Sequence, residues 1–311
     1  MHKSISALGR AILYMLLYLA LQLLVSAVFV FFGAVSYFLS GYSGVDILTY
    51  IMHFSTETVT LNLLLSSIII LAAFAIMARL RKNNFRKHFM LMPPVERSSL
   101  AAAVPFGLAA NILIGFILSL LPAALTESYA DASATLGSAA TPNIIYFLAT
   151  VLFVPLMEEV LFRGLIQNTL KKSMMLEFAV LLQAVFFALT HTGLVWMFYA
   201  FIIGLALGIL RENQRSIWPG LLLHSGFNLA NFLLLFVPYD FFDTHPLLYV
   251  LILMVSAVLC ILLGYGLFIH TPAIPAAPAA VIPTPETAPI PQTEHIFEAD
   301  EPQTDDQNGG I

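Results

Sequence analysis

The chain has 311 residues, of which 59% are hydrophobic and only 10% charged, with a formal net charge of −5. A soluble domain needs about 25% charged residues to face water, so this composition excludes a water-soluble globular protein and makes lipid the solvent. The single cysteine, Cys260, excludes an intrachain disulfide and a thiolate metal cluster, and reads as a small apolar filler of a helix.

At the N-terminus, His2, Lys3 and Arg10 precede an apolar run from Ala11 to about Leu39. That run is too long for the apolar region of a cleaved signal peptide and has no clear small-residue cleavage site, so it predicts a first transmembrane helix. Further spans are predicted near 58–79, 98–121, 143–170, 177–192, 194–211, 217–237 and 246–269, the first lying at 11–36. The fold class is therefore all-α, a polytopic membrane helical bundle of about eight transmembrane helices. Only His191 to Gly193 interrupts the fifth and sixth. Residues 83–98 mix Arg86, Lys87 and His88 with Phe85, Phe89, Met90 and Met92, which suits either an interfacial amphipathic piece or an ordinary basic loop. Gly204 and Gly208 form a GxxxG pair that permits close helix packing. From about Thr271, Pro and Ala dominate and acids follow, so residues 271–311 are expected to be a disordered cytoplasmic tail after a bundle over 1–270.

Loop charge predicts orientation. Arg79, Arg81, Lys82, Arg86, Lys87 and Arg97 lie between the second and third spans, Lys171 and Lys172 follow the fourth, and Arg211 and Arg215 follow the sixth. The alternate loops hold Asp46, Glu57, Glu127, Asp131, Asp240 and Asp243 and no Lys or Arg. The positive-inside rule then places both termini in the cytoplasm, in what is expected to be the cell membrane.

Ionisable groups at bilayer depth are costly, and each is a functional hypothesis. Here they are Glu158, Glu159 and Arg163 in the fourth span, His191 in the fifth and His224 in the seventh, joined by Asn228. Glu159 and Arg163 are spaced i,i+4 with the acid first, the favourable order for a helical ion pair. Such a pair by itself more often holds helices together than catalyses. Glu158 sits about 100° round the helix from Glu159 and is left without a local partner, a setting suited to general acid/base work. His224 and Asn228, also i,i+4, share a face. An imidazole and a carboxamide there can both donate to one oxygen, as an oxyanion hole requires. At 1.5 Å per residue, Glu158 lies roughly 20 Å from Lys171, His191 roughly 21 Å from Glu177, His224 roughly 14 Å from Arg215 and Asn228 roughly 20 Å from it. All four can meet near mid-membrane.

These residues resemble a known pattern. Glu158-Glu159-Val-Leu-Phe-Arg163, Phe187-Ala-Leu-Thr-His191 and His224-Ser-Gly-Phe-Asn228 are similar to the motifs EExxxR, FxxxH and HxxxN of the type II CAAX prenyl endopeptidase family, also called CPBP or Abi proteins. The resemblance covers roughly 143–237, and the motifs, short singly, are specific as an ordered set on separate helices. It implies an intramembrane endopeptidase acting in a cavity open to the cytoplasmic side. Glu158 with His191 would activate water, His224 and Asn228 would stabilise the oxyanion, and Glu159 with Arg163 would hold the local architecture. Metal-independent catalysis without a cofactor is expected. Zinc on Glu158, His191 and His224 is the alternative, a chemically suitable set without the HExxH spacing. The expected partners are the lipid bilayer and a peptide or protein substrate, lipidated or not, with no nucleic acid. Two other classes remain: a non-catalytic immunity or scaffold protein binding a peptide, and a transporter using midplane Glu and His. The chain shows no internal repeat to support transport.

Overall fold

The computed structural model describes residues 2–41, 44–82, 95–122, 143–238 and 240–269. Among them all regular structure is helical: α1 (His2–Ser40), α2 (Ile47–Glu57), α3 (Val59–Leu80), α4 (Arg97–Ser119), α5 (Ile144–Leu170), α6 (Leu176–Ala188), α7 (Leu194–Gln214), α8 (Trp218–Leu234), α9 (Phe241–Thr244) and α10 (Pro246–Ile269). Each of the eight predicted spans has its helix, and the protein is a multi-pass membrane bundle. Six, namely α1, α3, α4, α5, α7 and α10, are long and apolar enough to cross a membrane. The predicted fifth and seventh spans are shorter, at 13 and 17 residues. At 1.5 Å per residue they reach about 20 and 26 Å, less than the ~30 Å hydrocarbon core. Helix α2 was not predicted, being too short and too mixed in polarity to read as a span. Asp46 starts it by accepting the Thr49 N–H at 3.0 Å. The expected interfacial piece at 83–94, and the expected tail, lie outside the described residues.

Lipid as solvent is visible on the surface. Large apolar side chains such as Leu23, Phe31, Leu247, Met254 and Ile261 stand exposed along α1 and α10. In water this would be an aggregating face; in hydrocarbon it is the ordinary exterior. Inside, α1, α3, α5 and α6 enclose a core that includes Tyr14, Ile70, Phe74, Leu161, Phe162, Leu165 and Leu170.

Apart from the buried Arg163, the described Lys and Arg residues lie toward one end of the bundle. Ser4 at the start of α1 donates to the Ser173 carbonyl after α5 at 2.6 Å, and Arg81 after α3 donates to Tyr14 of α1 at 2.9 Å. Lys171 meets Glu212 of α7 at 3.0 Å. Asn213 donates to the Phe268 carbonyl at 3.1 Å, bringing the end of α10 to the same place. The described starts and ends of the bundle therefore share the basic end, while Asp46, Glu57, Asp240 and Asp243 flank the other ends of these helices.

Helices α4 and α8 make the most extensive packing of the fold, and it depends on two glycines. A Cβ on Gly107 would overlap the Leu223 carbonyl oxygen, and one on Gly226 would overlap the Val104 carbonyl oxygen. The two backbones thus touch, as small residues at membrane helix interfaces allow. This contact sets the rotation of α8 between His224 and Asn228. Gly226→Ala should therefore force α4 and α8 apart, lowering stability by about 1–3 kcal/mol and peptide cleavage with it. Thermal melting of the purified protein in detergent measures the first effect. Gly204 and Gly208 serve the lesser role expected of them, placing α7 closely on Ala184 of α6 and beside Gln167 of α5.

Candidate active site

Helix α5 is not a regular α-helix. It is π-helical over Phe147–Phe153 and again over Glu159–Gln167, with a short α-helical turn ending at Glu158 between them. Such wide turns in otherwise α-helical spans frequently mark functional sites. Every side chain from Met157 to Gln167 is buried.

The predicted i,i+4 pair is formed. Arg163 Nη1 donates to Glu159 Oε1 at 2.8 Å, with both side chains at 0% exposure. Nη2 donates to the Gly204 carbonyl at 3.3 Å, and the guanidinium lies 4.6 Å from the centre of the Phe187 ring. Gln183 donates to the same Gly204 carbonyl at 2.7 Å. Arg163 thereby joins α5, α6 and α7. The other Glu159 oxygen, Oε2, faces Gly220 of α8, where a Cβ would stand 3.1 Å from it.

His224 lies between the two acids. Its Nδ1 is 3.4 Å from Glu159 Oε1, and its Nε2 is 3.6 Å from Glu158 Oε2. Glu158, without a partner on its own helix, thus meets one across the bundle. Glu159 does more than pair with Arg163, because it also faces a histidine nitrogen. This contact was missed from sequence, since it depends on how α8 is rotated against α5, and i,i+4 spacing within one helix says nothing of that.

His191 stands differently from the expectation. Helix α6 ends at Ala188, so His191 lies in the following turn rather than on the helix. The left-handed φ of 83° at Gly193 lets the chain reverse directly into α7. Within the turn, His191 Nδ1–H donates to the Phe187 carbonyl at 3.0 Å and the ring packs edge-on against Phe187 with centroids 4.9 Å apart. With Nδ1 engaged, Nε2 is the nitrogen left to accept. Asn228 donates from Nδ2 to the Thr150 carbonyl of α5 at 2.8 Å. Thr150 and Gln183 were both overlooked in the sequence, although a polar side chain within an apolar span was the available signal.

Glu158, His191, His224 and Asn228 line one cavity of about 550 Å³. Its walls combine apolar and polar groups, including Tyr18 from α1 and Ser66 and Ser67 from α3. Helices outside the predicted core of 143–237 therefore complete it. Its α5 lining stops at Glu158, and its α3 lining stops at Ser67. No group of three or more His, Cys, Asp or Glu side chains among the described residues has an arrangement that would hold a metal ion.

No curated protein and no solved structure matches the chain. Residues 140–230, the segment holding all seven motif residues, match the family model described as type II CAAX prenyl endopeptidase Rce1-like, a protease family, so that over its candidate active site the chain is similar to the CAAX-type intramembrane endopeptidases.

Proposed function

We propose that the protein is an intramembrane endopeptidase that hydrolyses peptide bonds with a glutamate-activated water. The observation carrying this reading is the convergence of Glu158, His191, His224 and Asn228, from three separate stretches of chain, on one cavity walled by membrane helices. Water held there donates one hydrogen bond to the Glu158 carboxylate and the other to His191 Nε2, the acceptor left when Nδ1 is bound to Phe187. Two acceptors facing one water orient its lone pair at a carbonyl.

The step is a simple addition and elimination. The water oxygen bonds to the carbonyl carbon as its proton passes to Glu158. The carbonyl oxygen, now anionic, accepts hydrogen bonds from His224 and Asn228. Glu158 returns the proton to the amide nitrogen as the C–N bond breaks, leaving a carboxylic acid and an amine. Glu159 accepts at His224 Nδ1 and orients the ring, so that Nε2 faces the cavity. Its 3.6 Å separation from Glu158 is longer than a hydrogen bond, leaving Nε2 free to turn to a bound carbonyl oxygen.

Incubation of the purified protein with a peptide library, read by product mass spectrometry, tests the reading. Discrete internal cleavages are expected, and they should persist in a strong chelator with no zinc in the protein. Loss of cleavage on chelation, with recovery on adding zinc, would sink the metal-independent mechanism. Asn228→Ala should lower kcat by about 10²- to 10³-fold, the cost of one oxyanion donor. KM should change little, because the interaction is made in the transition state.

A further inference from the structure

Buried positions on α1 recur at helical spacing: Ala7, Ala11, Tyr14, Met15, Tyr18 and Val25. They mark the stripe by which α1 faces the bundle. Gln22 falls on the same stripe, one turn after Tyr18, and with it lines the cavity. Both stand close to the middle of this 39-residue helix, where an unsatisfied polar group is costly. Asn62 of α3 donates to Ser26 at 3.2 Å, which fixes α1 against α3 one turn beyond Gln22.

Much of the other polar lining is already engaged. Ser66 and Ser67 both donate to the Leu63 carbonyl. Thr150 donates to the Tyr146 carbonyl and Thr190 to the Phe187 carbonyl. Tyr18 and Gln22 differ. Tyr18 is 5% exposed and Gln22 half-buried, yet neither the hydroxyl nor the carboxamide has a hydrogen-bond partner among the described residues. The Tyr18 hydroxyl lies within electrostatic reach of the Glu158 carboxylate. One unengaged polar group therefore adjoins Glu158, and the second stands one helical turn further along α1.

We propose that Tyr18 and Gln22 bind the backbone of an extended peptide, Tyr18 at the residue beside the scissile bond and Gln22 two residues further along. The spacing fits. Four residues of helix rise about 6 Å, and an extended chain turns equivalent backbone groups to one side every two residues, about 6.6 Å apart. An extended residue presents its N–H and C=O on that side together. A carboxamide complements both: Gln22 Nε2–H donates to the carbonyl, and Oε1 accepts from the N–H. The Tyr18 hydroxyl donates to a peptide carbonyl. Neither contact involves a substrate side chain, so the pair sets the register of the peptide over Glu158 and leaves sequence choice to the rest of the cavity. Helix α1 lies outside residues 140–230, and so outside the segment that matches the endopeptidase family. The assignment rests on the peptidase reading above.

The test uses the full chain in detergent and a fluorogenic peptide that it cleaves, N-methylated at one backbone position at a time on both sides of the scissile bond. Each methyl group removes one N–H donor. In the parent protein, one position should raise KM about tenfold, by removing the N–H that Gln22 accepts. Gln22→Leu, of similar volume, should raise KM for the unmodified peptide about tenfold with kcat little changed, since the contact is made in the ground and transition states alike. Methylation at the sensitive position should then cost nothing further, while methylation elsewhere keeps its effect. Gln22→Met, unbranched like Gln, repeats the reading independently of whether Gln22→Leu folds. Tyr18→Phe should also raise KM, yet leave the penalty at the Gln22 position intact. A parent with no sensitive position, penalties that add in the Gln22 variants, or an unchanged KM in Tyr18→Phe or in the Gln22 variants overturns the assignment, while the peptidase reading stands. A parent that cleaves no peptide overturns both.

Discussion

Glu158→Gln should leave a folded, membrane-inserted protein that no longer cleaves peptides. Gln matches Glu in size and keeps one carbonyl oxygen, so the packing around this buried position is retained. What it loses is the ability to take a proton from water. General-base catalysis contributes about 10²- to 10⁴-fold, and the loss in kcat is expected at the upper end, because the other acid, Glu159, is committed to Arg163 and faces His224 on the far side of the ring. Product mass spectrometry on parent and variant, with matched elution and melting profiles, reads the effect. A variant that cleaves as fast as the parent would show that Glu158 is not the base. The change also removes a charge that faces His224 Nε2 at 3.6 Å, so substrate affinity is a useful second readout. A general base shows itself in kcat, whereas a residue that only shapes the cavity shows itself in KM.

Much of this site was legible in the sequence, for definite reasons. A helix rises 1.5 Å per residue and Lys and Arg mark the interface. Counting residues from Lys171 and Arg215 is therefore a measurement of depth, and it put Glu158, His224 and Asn228 at compatible levels. The i,i+4 spacing of Glu159 and Arg163 needed only helical geometry. What stayed hidden depends on how helices rotate against one another. The facing of His224 Nδ1 and Glu159 is such a contact, and so is the meeting of Gly107 and Gly226 that holds α8 in place. The π-helical widening of α5 was hidden too, because hydropathy does not distinguish one helical pitch from another. The end of α6 at Ala188 was misjudged because the apolar run continues past it; Gly193, with its left-handed φ of 83°, was the residue that should have signalled the turn.

The second large effect concerns stability. Arg163→Met should largely abolish the folded protein. Arg163 and Glu159 are both fully buried, and removing one partner leaves the other charge uncompensated, at a cost of about 3–5 kcal/mol. That is a large part of the stability of a typical domain. The loss extends beyond the pair, because the guanidinium also donates to Gly204 and packs on Phe187, tying α5 to α6 and α7. Adding Glu159→Gln should recover most of the folded yield, since neutral residues of similar volume commonly replace a buried ion pair at little or no cost in stability. Size-exclusion profiles and melting temperatures compare the single and double variants directly. Cleavage by the double variant separates the two tasks of Glu159. If it serves only to neutralise Arg163, activity returns with the fold. If it also orients His224, the refolded double variant should remain about tenfold to a hundredfold slower, as when other carboxylates that orient a working imidazole are removed. The contact at 3.4 Å between His224 Nδ1 and Glu159 Oε1 predicts the second outcome, in which the ion pair that builds the core also aims the histidine.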